Sequence, residues 1–195
     1  SFMMLDRYEH TLDEAFLKET TIPFATEVLT FFVEHYDIDE DGKLVMHPSQ
    51  ALETWWECTN PMDPVAGMHA VTDCLLGLPE RLSSLELRKY WAQVKAKTPD
   101  LPTREFKGET IFAPAEAFDM CKNGENPELY CVFPFRLCSF EKPNAEMGRR
   151  TLHHRTARGN RGWRQDEIFM AYLGLAAEAR KHLVALARNH HEGSR

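Results

Sequence analysis

Apolar residues recur at helical spacing over most of the chain. Thr11-Leu12-Asp13-Glu14 reads as a capping box, with Thr11 as N-cap and Glu14 three residues later. A second helix is predicted from near Thr21, with Pro23 in its first turn. Its Phe24, Val28, Phe31, Phe32 and Tyr36 form a stripe expected to be buried. The acidic run Asp37–Asp41 and Gly42 stop it, and Lys43–Met46 read as a short strand. Asp63-Pro64 gives an N-cap followed by proline at the first helical position, opening a helix to about Gly77. Ser83 and Glu86 form another capping box before a helix to about Lys97.

Proline and glycine then recur from Thr98 to Asn144. Within that stretch Arg104–Phe106 and Thr110–Phe112 flank Lys107-Gly108-Glu109 as a small hairpin. Helical spacing resumes from about Ala145 to Arg155 and breaks at Gly159–Gly162. Two last helices are predicted near Arg164–Leu173 and Ala176–His190, joined by a turn at Gly174. The pattern predicts a mainly α fold with one irregular, β-containing insertion. Long irregular stretches of this kind tend to carry function.

At 195 residues the chain fits one domain, 1–195, or a piece of a larger one. A chain of this length folds without disulfide staples. No apolar run approaches the ~20 residues of a membrane span, so no membrane partner is expected. SFMMLDRYEH has neither the apolar core nor the cleavage site of a signal peptide. The net charge of −7 is uneven: residues 147–195 carry 10 basic and 4 acidic side chains, the rest 13 and 26. Five cysteines at 58, 74, 121, 131 and 138 include no CxxC pair and read as free, mostly buried thiols.

Candidate chemistry changes this picture in few places. Asp37-Ile-Asp-Glu-Asp-Gly resembles half of an EF-hand loop, but the twelfth position is Pro48 where a bidentate Glu belongs, so an acidic turn into a strand is expected. Arg149–Arg164 holds six arginines and no acid, with Trp163 its one aromatic residue. A helix face paired with acidic neighbours is expected there rather than nucleic-acid binding. The nine histidines show no metal-binding spacing, and no cofactor or metal is expected. No P-loop, dinucleotide fingerprint or nucleophile elbow occurs.

The densest constellation is His47-Pro-Ser-Gln-Ala-Leu-Glu53-Thr54-Trp55-Trp56, followed by Asn60-Pro61. A carboxyl beside two tryptophans suits sugar chemistry, because aromatic faces stack on apolar sugar faces and an apolar setting raises a carboxyl pKa. An amphipathic turn with core tryptophans fits the same residues. Asn123-Gly-Glu125-Asn126-Pro-Glu128-Leu-Tyr130 is a second polar cluster, able to grip hydroxyls or to satisfy its own loop.

The order DGKLVMHPSQALETWW, PVAGMHAVTDCLLGL, PELYCVFP, RRTLHHR and GNRGW resembles the catalytic (α/α)6 toroid of glycoside hydrolase family 95 and related uncharacterised bacterial proteins. The likeness runs from about Thr11 to His190. It implies helical hairpins of a toroid and hydrolysis of a glycosidic bond with inversion, in a periplasmic or secreted protein. It maps the catalytic acid to Glu53 and implies sugar contacts from Trp55, Trp56, Asn126, Glu128, Tyr130 and Trp163. Thr54 stands where the family has Asn, and Glu128 where it has His. The family's water-supporting asparagine loop falls upstream of Ser1 and a late acidic motif beyond Arg195, so about half of a toroid is expected here. Inversion needs two carboxyls about 6.5–9.5 Å apart, and only Glu125 and Glu128 offer themselves beside Glu53. Little glycosidase activity is therefore expected from this chain alone. The expected partners are a carbohydrate and either a second copy or the rest of the toroid. The rival readings are a non-catalytic carbohydrate-binding remnant and an α-helical interaction module.

Overall fold

The computed structural model describes residues 1–158 and 165–188. Trp163, proposed above as a sugar platform, lies outside them. In chain order the elements are α1 (Phe2–Thr11), α2 (Glu14–Phe16), α3 (Ile22–His35), β1 (Asp37–Ile38), β2 (Leu44–Val45), β3 (Ser49–Ala51), β4 (Trp55–Pro61), α4 (Met62–Gly77), α5 (Leu85–Lys97), β5 (Thr103–Phe106), β6 (Glu109–Phe112), β7 (Ala115–Ala117), β8 (Met120–Cys121), α6 (Ala145–His154), α7 (Asp166–Tyr172) and α8 (Ala176–Arg188).

The expected mainly α arrangement of toroid hairpins is corrected by this order. About 53% of the described residues are helical and 15% are strand in three sheets, which makes the fold mixed α/β. The strands are two to seven residues long, too short for alternation to register in the sequence. β4 is the centre of the main sheet: it pairs antiparallel with β3, β7 and β8. Its Trp-Trp-Glu-Cys-Thr sequence supplies aromatic and β-branched residues that suit a pleated surface. The expected hairpin forms as β5–β6, turning at Lys107 and Gly108, both at positive φ as a two-residue hairpin turn requires.

Capping differs in detail. Asp13, not Thr11, caps α2 by accepting from the Phe16 amide at 3.0 Å, while Thr11 donates to the Arg7 carbonyl. Ser84, not Ser83, caps α5 through the Leu87 amide. A π-helical turn, Leu17–Thr21, carries α2 into α3. α3 buries Ile22, Ala25 and Leu29, while Phe24 and Phe31 stand 50% and 55% exposed. The stripe expected to be buried thus lies partly on the open face. The acidic run closes the β1–β2 hairpin, with Asp39 Oδ1 accepting from the amides of Asp41 and Lys43.

α4 is apolar on nearly every side, as a central helix must be. Its Val65, Met68, Val71 and Leu75 enter one core with α1, α3 and α5. Met62 and Ala66 enter another with Leu129, Cys131, Leu152 and Phe169. The end of α6 is tied to α7 by a buried ion pair, with Arg155 donating to Asp166 Oδ2 at 3.1 and 2.7 Å. Among the described residues of the basic segment, Arg149 pairs with Glu146 and donates to the Leu173 carbonyl, and Arg150 donates to the Thr110 carbonyl. All five cysteines are free thiols, with Cys58, Cys131 and Cys138 buried. No helix among the described residues is long and apolar enough to cross a membrane.

Candidate functional site

A cleft of about 720 Å³ opens where α1, α3 and α4 meet β3 and the segment after Tyr130. Its aromatic wall comes from Phe31, Phe32 and Tyr36 at the end of α3, with Phe2 and Phe135 across from them. Phe32 stacks on Tyr36, and Phe31 stacks on His35. Ser49, Gln50, Asp63 and Tyr130 bring polar groups to the same cleft.

Asp63 is its most unusual member. It sits in the first turn of α4, behind Pro61 as N-cap. The residue is partly open, yet its Oδ1 is removed from solvent and has no hydrogen-bond partner among the described residues. Burial pushes the carboxyl from the ordinary aspartate value of 3.8 to about 7. Its own amide and that of Leu52 oppose the rise, and the Glu125 charge adds to it. The positive end of a helix favours a carboxylate there, but loss of water outweighs it.

One turn holds both acids. Leu52, at φ 52°, turns its amide toward Asp63. Two residues on, buried Thr54 donates to Glu125 Oε2 at 3.3 Å, and its carbonyl accepts from the Lys122 amide at 2.7 Å. The Tyr130 phenol is held above its usual range by burial and by the charges of Glu125 and Asp63. Asp63 and Tyr130 thus share the aromatic cleft, and the Glu125 charge raises both.

The residues singled out in the sequence separate from one another. Glu53 is exposed beside this turn, and its carbonyl accepts from Trp56 Nε1 at 3.2 Å. Trp55 packs edge-on against Phe118, and neither Trp55 nor the exposed Trp56 lines the cleft. Asn126 is buried and spends its amide on Ala157, donating to the carbonyl at 2.9 Å and accepting from the N–H at 3.2 Å. That clamp pins the loop carrying Glu125 to the chain beyond α6. Glu128 is buried behind the cleft; burial raises it to about 7, with Arg104 and Arg155 opposing. Among the described residues, Tyr130 alone of the proposed contacts lines the cleft. The sequence concealed Asp63 because Asp-Pro reads as a helix cap. The signal lay in the residues that follow: a helix apolar on all sides is central, so an acid in its first turn is drawn inside.

Among the described residues no group of three His, Cys, Asp or Glu side chains is placed to hold a metal ion. No family model matches the sequence, and no curated protein matches it.

Proposed function

We propose that the chain is a glycoside-hydrolase-like protein whose cleft binds a carbohydrate and whose acid–base group is Asp63 with Glu125. The observation that carries this reading is the Asp63 carboxyl, protonated up to about pH 7 in an aromatic-walled cleft and coupled to a second carboxyl. Cleavage of a glycosidic bond needs one carboxyl that keeps its proton and another that is ionised. Burial supplies the first at Asp63, and the half-buried Glu125, held by Thr54, offers a second carboxyl. Tyr130 offers a hydroxyl donor to the sugar, and the aromatic wall offers faces for stacking. The resemblance of the motif order to that of family 95 glycosidases supports a carbohydrate ligand. In this reading Asp63 takes the acid role that the motif assigned to Glu53.

Titration with methyl glycosides of D-glucose, D-galactose and L-fucose, followed by amide NMR shifts, tests the reading. At least one sugar is expected to shift Leu52, Asp63 and Tyr130 saturably, and Asp63→Asn is expected to retain the binding. Failure of every sugar to perturb these amides at millimolar concentration overturns it.

A further inference from the structure

We infer that the outer face of α3 is an interface with a second copy of this chain, and that its occupant is the outer face of the copy's α8. This goes beyond the carbohydrate reading and does not depend on it. One face is aromatic and bordered by carboxylates. The other is aliphatic and bordered by cations at the same spacing.

α3 buries Ile22, Ala25 and Leu29. Phe24, Glu27, Phe31 and Glu34 lie on the opposite side, at steps of three, four and three residues that keep them in one stripe. All four are exposed, the two phenylalanines by half or more. Among the described residues neither glutamate is in an ion pair. The helix runs out into Asp37, Asp39, Glu40 and Asp41, which are exposed as well. Covering the two rings removes apolar surface from water, and the acidic border selects a cationic cover.

α8 supplies that chemistry. Ala179 is its buried residue, and His182 reaches Glu167 of α7 at 3.7 Å, so these two mark its inner side. At about 100° per residue the opposite side holds Ala177, Lys181, Val184 and Arg188, all exposed. Phe24 and Phe31 are seven residues apart, and so are Ala177 and Val184. Glu27 and Glu34 are seven apart, and so are Lys181 and Arg188. Each interval is two helical turns, about 10 Å. Laid side by side in the same direction, the two helices set each ring over a small side chain and each carboxylate beside a cation. Large groups against small ones let helix surfaces interdigitate.

The charge of the whole chain favours the same contact. Residues 147–195, which include α8, carry 10 basic and 4 acidic side chains, a balance of +6. The remainder, which includes α3, carries 13 and 26, a balance of −13. Pairing α3 with α3, or α8 with α8, sets like charges together and is disfavoured. An anionic lipid surface is the wrong cover for the α3 stripe for the same reason. The contact is therefore head to tail: reciprocated it closes a dimer, and unreciprocated it propagates. Phe31 also lines the cleft, so the partner's α8 lies at the cleft rim.

Sedimentation of the whole chain from about 10 to about 500 μM tests this, in about 50 mM and about 0.5 M NaCl. Association is expected in low salt, about tenfold weaker in high salt. Lys181→Glu with Arg188→Glu is expected to weaken it by about tenfold or more, and so is Glu27→Lys with Glu34→Lys. These positions are exposed, and circular dichroism checks that each variant keeps its helix content. An equal mixture of the two double variants is expected to regain association, because acidic faces then meet basic ones in both contacts. Phe24→Ser, outside the cleft lining, is expected to weaken association about threefold to tenfold and to leave sugar shifts at Asp63 and Tyr130 unchanged. A chain that stays monomeric at every concentration overturns the inference, and binding of that monomer to phosphatidylserine vesicles would assign α8 to a membrane instead. Association that survives either double reversal, or a mixture that does not regain it, overturns the inference equally.

Discussion

Unfolding free energy falls as pH rises from about 4 to about 7, and Asp63→Asn removes about half of that fall. The direction follows from two raised carboxyls. Asp63 and Glu128 each titrate near 7 when folded, against ordinary values of 3.8 and 4.5. Below about pH 4 both are protonated in the folded and unfolded chain, and neither affects the balance. Between the two values the unfolded chain has released these protons and the folded chain retains them, so raising the pH favours unfolding. Above about 7 the folded chain ionises too, and the fall ends. Asp63 accounts for about 4 kcal/mol over this window and Glu128 for about 3 kcal/mol. Asparagine reproduces the shape of the protonated aspartate without the charge, so Asp63→Asn is expected to be about as stable as the natural chain at pH 4 and roughly 4 kcal/mol more stable at pH 8. Glu109 and Glu14 are lowered by His154 and Arg81 respectively, and their contribution is lost only as pH falls below the ordinary glutamate value. Urea denaturation of both proteins at pH 4, 6 and 8 measures the effect. Parallel pH profiles would show that Asp63 titrates normally.

Arg155→Ala destabilises the chain by about 3–5 kcal/mol, the cost of leaving a buried charge without its partner. Arg155 and Asp166 are both shielded from water, and the guanidinium also donates to the Leu152 carbonyl at the end of α6. Asp166 Oδ1 already lacks a partner among the described residues, so removal of the arginine leaves its carboxylate with still less. The loss reaches the site through Ala157, two residues on, whose backbone is gripped by Asn126 beside Glu125. Weaker protection of the Glu125 loop in hydrogen exchange should therefore accompany the lower denaturation midpoint. The double replacement Arg155→Met with Asp166→Leu should recover much of the stability, because no charge then remains buried. Equal stability of the natural chain and Arg155→Ala would refute this account of the α6–α7 joint.

Regular local signals were legible in the sequence. The period of α4, α5 and α6 and the Lys107-Gly108 turn depend on residues close together, and they form where expected. β4 was not legible, because a seven-residue strand becomes one by pairing with β3, β7 and β8, which lie before and well after it. The buried face of α3 was not legible because Ile22, Ala25 and Leu29 recur at helical spacing just as the aromatic residues do, and periodicity alone does not say which face is covered. The aromatic wall of the cleft comes from α3 rather than from Trp55 and Trp56. At the site, Tyr130 and Glu125 were visible as part of a polar cluster, whereas the burial of Asp63 depends on three helices meeting around the start of α4. Asn126 carried the right chemistry for a sugar ligand, but its amide is used by the fold.

The turn from Leu52 to Thr54 sets the character of the site, because it positions Asp63 on one side and Glu125 on the other. Everything proposed for the cleft depends on Asp63 keeping its proton near neutral pH. Carbon-detected NMR titration of the Asp63 carboxyl, assigned by its disappearance in Asp63→Asn, measures that directly. The midpoint should lie near 7 and should move down in Glu125→Gln, where the neighbouring negative charge is gone. A midpoint near the ordinary 3.8, unchanged in Glu125→Gln, would contradict the account.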